Sequence, residues 1–191
     1  MFWKPQIKGK LGYFGLDAWW LSTFTESERR YIEDKFRPLG SSDARPLTQG
    51  DIEWTTETAV GLLSGLMSWF LKKEDRHIAR QLAAKGEDLV PAEKDITKVH
   101  YFYHHAIQSA YRSRDTEPGA LVEAERLCRA QIAIAPQTLK ALKKDKYMKE
   151  HLKTNQLRHQ GYWQLSVILK KQKRMDEHLM LVEEWNQSGW R

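Results

Sequence analysis

Apolar residues recur at three- and four-residue intervals along most of this chain, and that period is the one a helix face requires. Ile96, Val99, Tyr103, Ala106, Ile107 and Ala110 predict a helix over 94–113. Leu121, Ala124, Leu127, Cys128 and Ile132 predict a second that runs to Ala135 and stops at Pro136, with RSRDTEPG as the turn between them. Ala59, Leu62, Leu63, Leu66, Met67 and Phe70 mark a helix over about 50–72, started by Thr48 and Asp51. Its Gly61 and Gly65 are read as points where a neighbour comes close. Ile78, Leu82, Ala83 and Leu89 follow on a helix over about 75–89 and complete an antiparallel hairpin, which Pro91 closes.

Near the start of the chain, Thr25 followed three residues later by Glu28 reads as a capping box for a helix over 26–36, which Pro38 and Gly40 end. Asp17 is placed to cap a short turn carrying Trp19 and Trp20, and residues 41–47 read as a linker. Gln137 to Leu152 is helical by charge pattern, with a thin stripe of Leu139, Leu142 and Tyr147, and 154–160 reads as a loop. A last hairpin sets Tyr162, Leu165, Ile168 and Leu169 on one helix and Met175, Leu179, Val182 and Trp185 on the next, up to Gly189. No window alternates with the two-residue period of a strand, so the expected class is all-α: stacked antiparallel hairpins in one domain, 1–191. Its parts are an aromatic segment (1–40), hairpins at 48–90, 94–136 and 160–191, and a basic helix and loop at 137–159.

The final hairpin, GYWQLSVILKKQKRMDEHLMLVEEW, resembles one tetratricopeptide repeat, a 34-residue helix–turn–helix. Tyr162 takes the large aromatic position, Leu165 the following leucine and Ser166 the small position, while His178 stands where the family has a small alanine. Over about 97–136 the match comes from the other end, with Tyr111, Ala124, Cys128 and Pro136 at the family's spacing, extra residues in the turn, and Gln131 where a small residue is expected. The two copies span about 97–136 and 160–188. The resemblance implies a short solenoid whose concave surface holds a peptide or partner protein, without catalytic chemistry and without a cofactor.

Composition changes this picture in two places. The formal charge is +6, yet residues 137–174 hold eleven Lys or Arg against Asp145 and Glu150, a local net of +9 that leaves −3 for the remainder. Such a block is a solvated face or a surface for an acidic partner. Lys140, Lys143, Lys144, Lys170, Lys171 and Arg174 are the basic candidates, expected to lie close together if the intervening helix folds beside the last hairpin. Eight tryptophans are the second feature. Most are expected to fill core or cap the ends of the stack, with Trp3, Trp20 and Trp190 as the exceptions, and Trp20 and Trp163 join the candidate surface.

Other chemistry is thinly represented. His100 and His104 are spaced to share a helix face, and His105 and His77 are within plausible reach, but HExxH is not formed because Tyr101 occupies the glutamate position. Packing and polar roles are expected for these histidines, and no metal. Cys128 is the only cysteine; it sits on an apolar stripe as an inert thiol and excludes an internal disulfide. No phosphate loop, paired catalytic carboxylates, secretory leader or membrane-length apolar run is present; the longest, Ala59 to Leu71, has 13 residues. The expectation is a cytoplasmic, non-enzymatic adaptor or scaffold for another protein or an acidic peptide, with nucleic-acid binding through 137–174 as the alternative and no membrane partner.

Overall fold

The computed structural model describes residues 7–38, 45–154 and 157–190, and among these the protein is all-α, with no strand. Eleven α-helices follow in order: α1 (Gly9–Tyr13), α2 (Asp17–Thr23), α3 (Glu26–Lys35), α4 (Ala59–Met67), α5 (Arg76–Leu89), α6 (Ile96–Ser113), α7 (Ala120–Ala133), α8 (Ala135–Lys144), α9 (Lys146–Thr154), α10 (Gln160–Lys171) and α11 (Met175–Ser188). Short 3-10 turns precede and follow α5.

The capping box is formed as expected: the Thr25 side chain accepts from the Glu28 amide, and the Glu28 carboxylate accepts from the Thr25 amide at 2.8 Å. The next helix departs from expectation. Thr48 does not cap it, because its hydroxyl bonds Glu33 across the fold, and Gly50 has a φ of 88° that breaks helical continuity. Thr58 is the cap instead, accepting from the Gly61 amide at 3.1 Å, so α4 is shorter than the apolar run. Of the expected linker, 41–44 lie outside the described residues, as do Gly40 and Trp3. Arg45 to Gly50 form a turn that receives α1, with Leu11 N donating to Leu47 O at 2.9 Å. Gly9, at a φ of 57°, lies so close that a Cβ would meet the Gln49 carbonyl at 2.6 Å. Here backbone approach, and not only turn geometry, requires glycine.

Three antiparallel pairs make the body: α4 with α5, α6 with α7, and α10 with α11. The first helix of each later pair seats on both helices of the pair before it, α6 on α4 and α5, α10 on α6 and α7. The close approach lies at Gly86, not at Gly65: a Cβ at Gly86 would clash with the buried Phe102 ring, whereas Gly65 has open space. The core runs continuously from Leu11, Trp20 and Ile32 through Leu63, Leu66, Phe102 and Ile107 to Cys128, Leu165 and Leu181.

Two residues that depart from the repeat pattern are polar joints in this core. Gln131 is fully buried; its amide N–H donates to His100 O at 2.8 Å and its carbonyl accepts from Gly161 N at 2.7 Å, which links α6, α7 and α10. The Gly161 amide lies in the first turn of α10 and has no partner within its own helix, so Gln131 supplies it. His178 is buried at the α10–α11 contact, 3.4 Å from the hydroxyl of Ser166.

The last helices correct the expectation most. α7 ends at Ala133, two residues before the expected Ala135, and Pro136 occupies the first turn of the next helix, α8, where its missing amide costs nothing. The basic segment 137–152 is two helices, because Asp145 leaves the helical conformation and its carboxylate accepts from Met148 N at 2.9 Å to start α9. On α11 the buried residues are His178 and Leu181, while Met175 and Leu179, expected inward, are 47% and 62% exposed.

Candidate binding surface

Among the described residues, the last hairpin has one of its two sides uncovered. Ser166 meets His178, and Tyr162 stacks on Trp185 with ring centroids 5.8 Å apart, which fixes the row where α10 and α11 touch. One side of that row, with Leu165, Leu169 and Leu181, faces α7 and Arg129. The opposite side carries Trp163, Val167 and Lys170 on α10 and Met175, Leu179 and Val182 on α11, by helical spacing from the same row. Trp163, Lys170, Met175 and Leu179 are exposed there, and Val167 and Val182 are half-buried.

Positive charge accompanies this apolar strip. The Arg158 guanidinium lies 3.9 Å from the centre of the Trp163 ring, within cation–π range, and has no carboxylate partner among the described residues. Lys171 sits 5.9 Å from the Tyr111 ring.

Arg174 differs from the other candidates because it is already occupied. It bonds Glu125 at 2.7 and 3.0 Å and Glu177 at 2.7 and 2.6 Å, bridging the start of α7 to the start of α11. The Glu125 carboxyl is held below the usual range, chiefly by Arg174 and also by Arg129. Arg174 is therefore a structural joint. Trp20 also leaves the candidate surface: at 1% exposure it packs edge-on to Phe24 inside the core. Trp190, expected as an exposed exception, is buried, stacked on His100 and donating from its indole to Ala135 O at 3.1 Å.

Lys140, Lys143 and Lys144 are exposed on α8. The condition for one joint patch is not met, since α8 packs mainly against α6 and α9 and meets the last hairpin at Gly189 and Trp190. α8 starts at the C-terminal end of α7, whereas Arg174 is fixed at the N-terminal end, and the intervening turns of α7 span about 15 Å. The side chain of Lys153 lies outside the described residues.

The histidines are each engaged separately. His104 Nε2 is 3.0 Å from the Gln108 amide, His105 Nδ1 is 3.0 Å from the Ser64 hydroxyl, and His77 pairs with Glu28 at 3.0 Å on another part of the surface. His100 instead turns inward to His159, with ring centres 5.1 Å apart. His159 was hidden in the expected loop; it is fully buried and caps α10, its Nδ1 accepting from Tyr162 N at 3.3 Å. Burial lowers these imidazoles, His100 and His105 to about 4 and His159 to about 3. Among the described residues no group of three or more His, Cys, Asp or Glu is arranged to hold a metal ion. Burial likewise pushes the Cys128 thiol up to about 12, so it is not a ready nucleophile.

A separate cavity of about 330 Å³ lies between α5, α6 and α7, floored by Ala83, Ala106, Ala110 and Leu127. Its rim charges are paired, Arg80 with Glu117 and Arg126 with Glu87 and Glu123. No described helix is long and apolar enough to cross a membrane. Comparison with protein-family models, with curated proteins and with solved structures finds no match to this chain.

Proposed function

We propose that this protein is a non-catalytic adaptor or scaffold subunit of the cytoplasm that binds another protein or an acidic peptide through the surface of a tetratricopeptide-like helical stack. The observation that carries the reading is the uncovered side of α10 and α11, where Trp163, Met175 and Leu179 remain exposed beside Arg158 and Lys170. Exposed aromatic and apolar groups in a contiguous strip, with cations along its α10 edge that have no anionic partner among the described residues, are the composition of a contact surface. The stacking of each hairpin on both helices of the one before supports the family resemblance. Affinity capture from the native host, with mass spectrometry of the proteins and extraction of any nucleic acid, tests it: a discrete protein partner supports the adaptor, and an eluate empty of protein contradicts it.

A second reading, nucleic-acid binding, draws on Lys140, Lys143 and Lys144, three exposed cations on one short helix. Phosphate contacts release counterions, so affinity for RNA or DNA through these lysines falls steeply between about 50 and 200 mM salt. Replacing all three with Gln leaves thermal stability within about 0.5 kcal/mol, as is usual for exposed side chains, and abolishes that salt-dependent binding. Unchanged RNA and DNA binding by the triple variant would make α8 a solvated face.

A further inference from the structure

We infer that the uncovered side of α10 and α11 is the seat for one amphipathic helix of a partner protein, a helix whose apolar stripe carries Asp and Glu on the flank that meets α10. The inference rests on the adaptor reading and specifies its partner.

The geometry comes from the protein's own stacking. α6 lies on the pair α4–α5 and α10 lies on the pair α6–α7, so twice in this chain the outer side of a hairpin receives a single helix. The side of α10–α11 turned away from α7 is the next such surface, and among the described residues it receives none. Position by position the comparison holds. Val182 stands four residues after His178 as Cys128 stands four after Ala124; Cys128 is fully covered, with its carbonyl beneath Gly161 of α10, and Val182 is only half-buried. Trp163, Val167, Leu179 and Met175 continue the strip along a helix pair about 20 Å long, which suits an occupant of roughly 12–18 residues.

Charge selects the kind of helix. The two rows that face outward, 163–167–170 and 175–179–182–186, contain no carboxylate; Lys170 and Arg158 line the α10 edge with no anionic partner among the described residues, and the exposed carboxylates Asp176 and Glu183 neighbour Leu179 on the α11 edge. An incoming helix whose flank toward α10 is acidic places its carboxylates against Lys170 and Arg158, and one with a basic flank there is repelled. A second copy of this chain is the competing occupant, and sedimentation of the wild type and of Leu179→Asp distinguishes it.

The test uses the full chain and a display library of 18-residue helices with a fixed Leu stripe and randomised flanks. The expected result is enrichment of sequences with Asp and Glu at one flank of the stripe, and at least about tenfold weaker binding of the enriched peptides to Leu179→Asp, as for loss of a contact hot spot. Since Leu179 is exposed, this variant should melt with the wild type, and circular dichroism verifies that it is folded. The double variant Arg158→Glu, Lys170→Glu should prefer Lys-flanked peptides. The proposal is overturned if selection enriches nothing above the Leu179→Asp background, if flanking charge has no effect, or if sedimentation shows wild-type dimers that Leu179→Asp dissolves. Failure here with a protein partner still recovered by capture, and still bound by Leu179→Asp, would leave the adaptor reading standing and place its contact elsewhere.

Discussion

Gln131 shows how a single residue can hold three helices. A side chain that donates to His100 O and accepts from Gly161 N satisfies an amide at the start of α10 that water cannot reach. Gln131→Leu keeps the bulk and removes both bonds, and is expected to cost roughly 1–3 kcal/mol in urea denaturation, the penalty of an unpaired buried amide. A midpoint equal to wild type would mean that this joint carries no stability. Glycines give a paired prediction. Gly65→Ala meets open space and should gain about 0.5–1 kcal/mol from helix propensity, whereas Gly86→Ala has the same propensity gain but drives a Cβ into Phe102 and should lose about 1–3 kcal/mol from overpacking. The sequence shows two glycines in α4 and one in α5 without distinguishing them. Which glycine is a contact depends on how α5 crosses α6, and periodicity carries no information about crossing.

At the scale of elements, local signals were legible where the chemistry is local. Thr25 with Glu28 and Gly189 after α11 mark helix ends through bonds or backbone angles within a few residues. Thr48 misleads because its hydroxyl is used across the fold by Glu33. The inward face of α11 was misread for another reason: Met175, Leu179 and Val182 form the stronger apolar stripe, yet His178 and Leu181 are buried. An apolar stripe normally reports the core, and here it marks the side left open. Only three of the named candidates, Trp163, Lys170 and Lys171, stand on or beside that side, and Met175 and Leu179 were missed because they were counted as core. Ala124, expected inward by helical period and set by the repeat alignment where two helices meet, is fully buried on α7. Ala124→Phe should lower stability by roughly 1–3 kcal/mol by overpacking, and an unchanged melting midpoint would count against that alignment.

For the whole molecule, buried imidazoles set an acid limit. His100 and His105 near 4 and His159 near 3 lie below the ordinary value of 6.5, mainly through burial. The unfolded chain therefore binds more protons than the folded one as pH falls from about 6.5 to about 4. Stability is full above that window and is lost through it, at up to about 1.4 kcal/mol per pH unit for each histidine. Glu33 acts in the opposite sense, since burial raises its carboxyl. The thermal midpoint should fall clearly between pH 7 and pH 5, and His159→Gln should flatten that dependence. A midpoint constant over this range would place these imidazoles in contact with solvent.

The central claim is that the open side of the last hairpin is where this protein meets another. Capture from the native host with the wild type and with Trp163→Ala, Leu179→Asp, compared side by side, tests it most directly. The account predicts a discrete protein partner on the wild type, reduced at least about tenfold on the double variant, with both proteins folded and alike in helical spectrum. Equal recovery of the same partner by the folded double variant would contradict it.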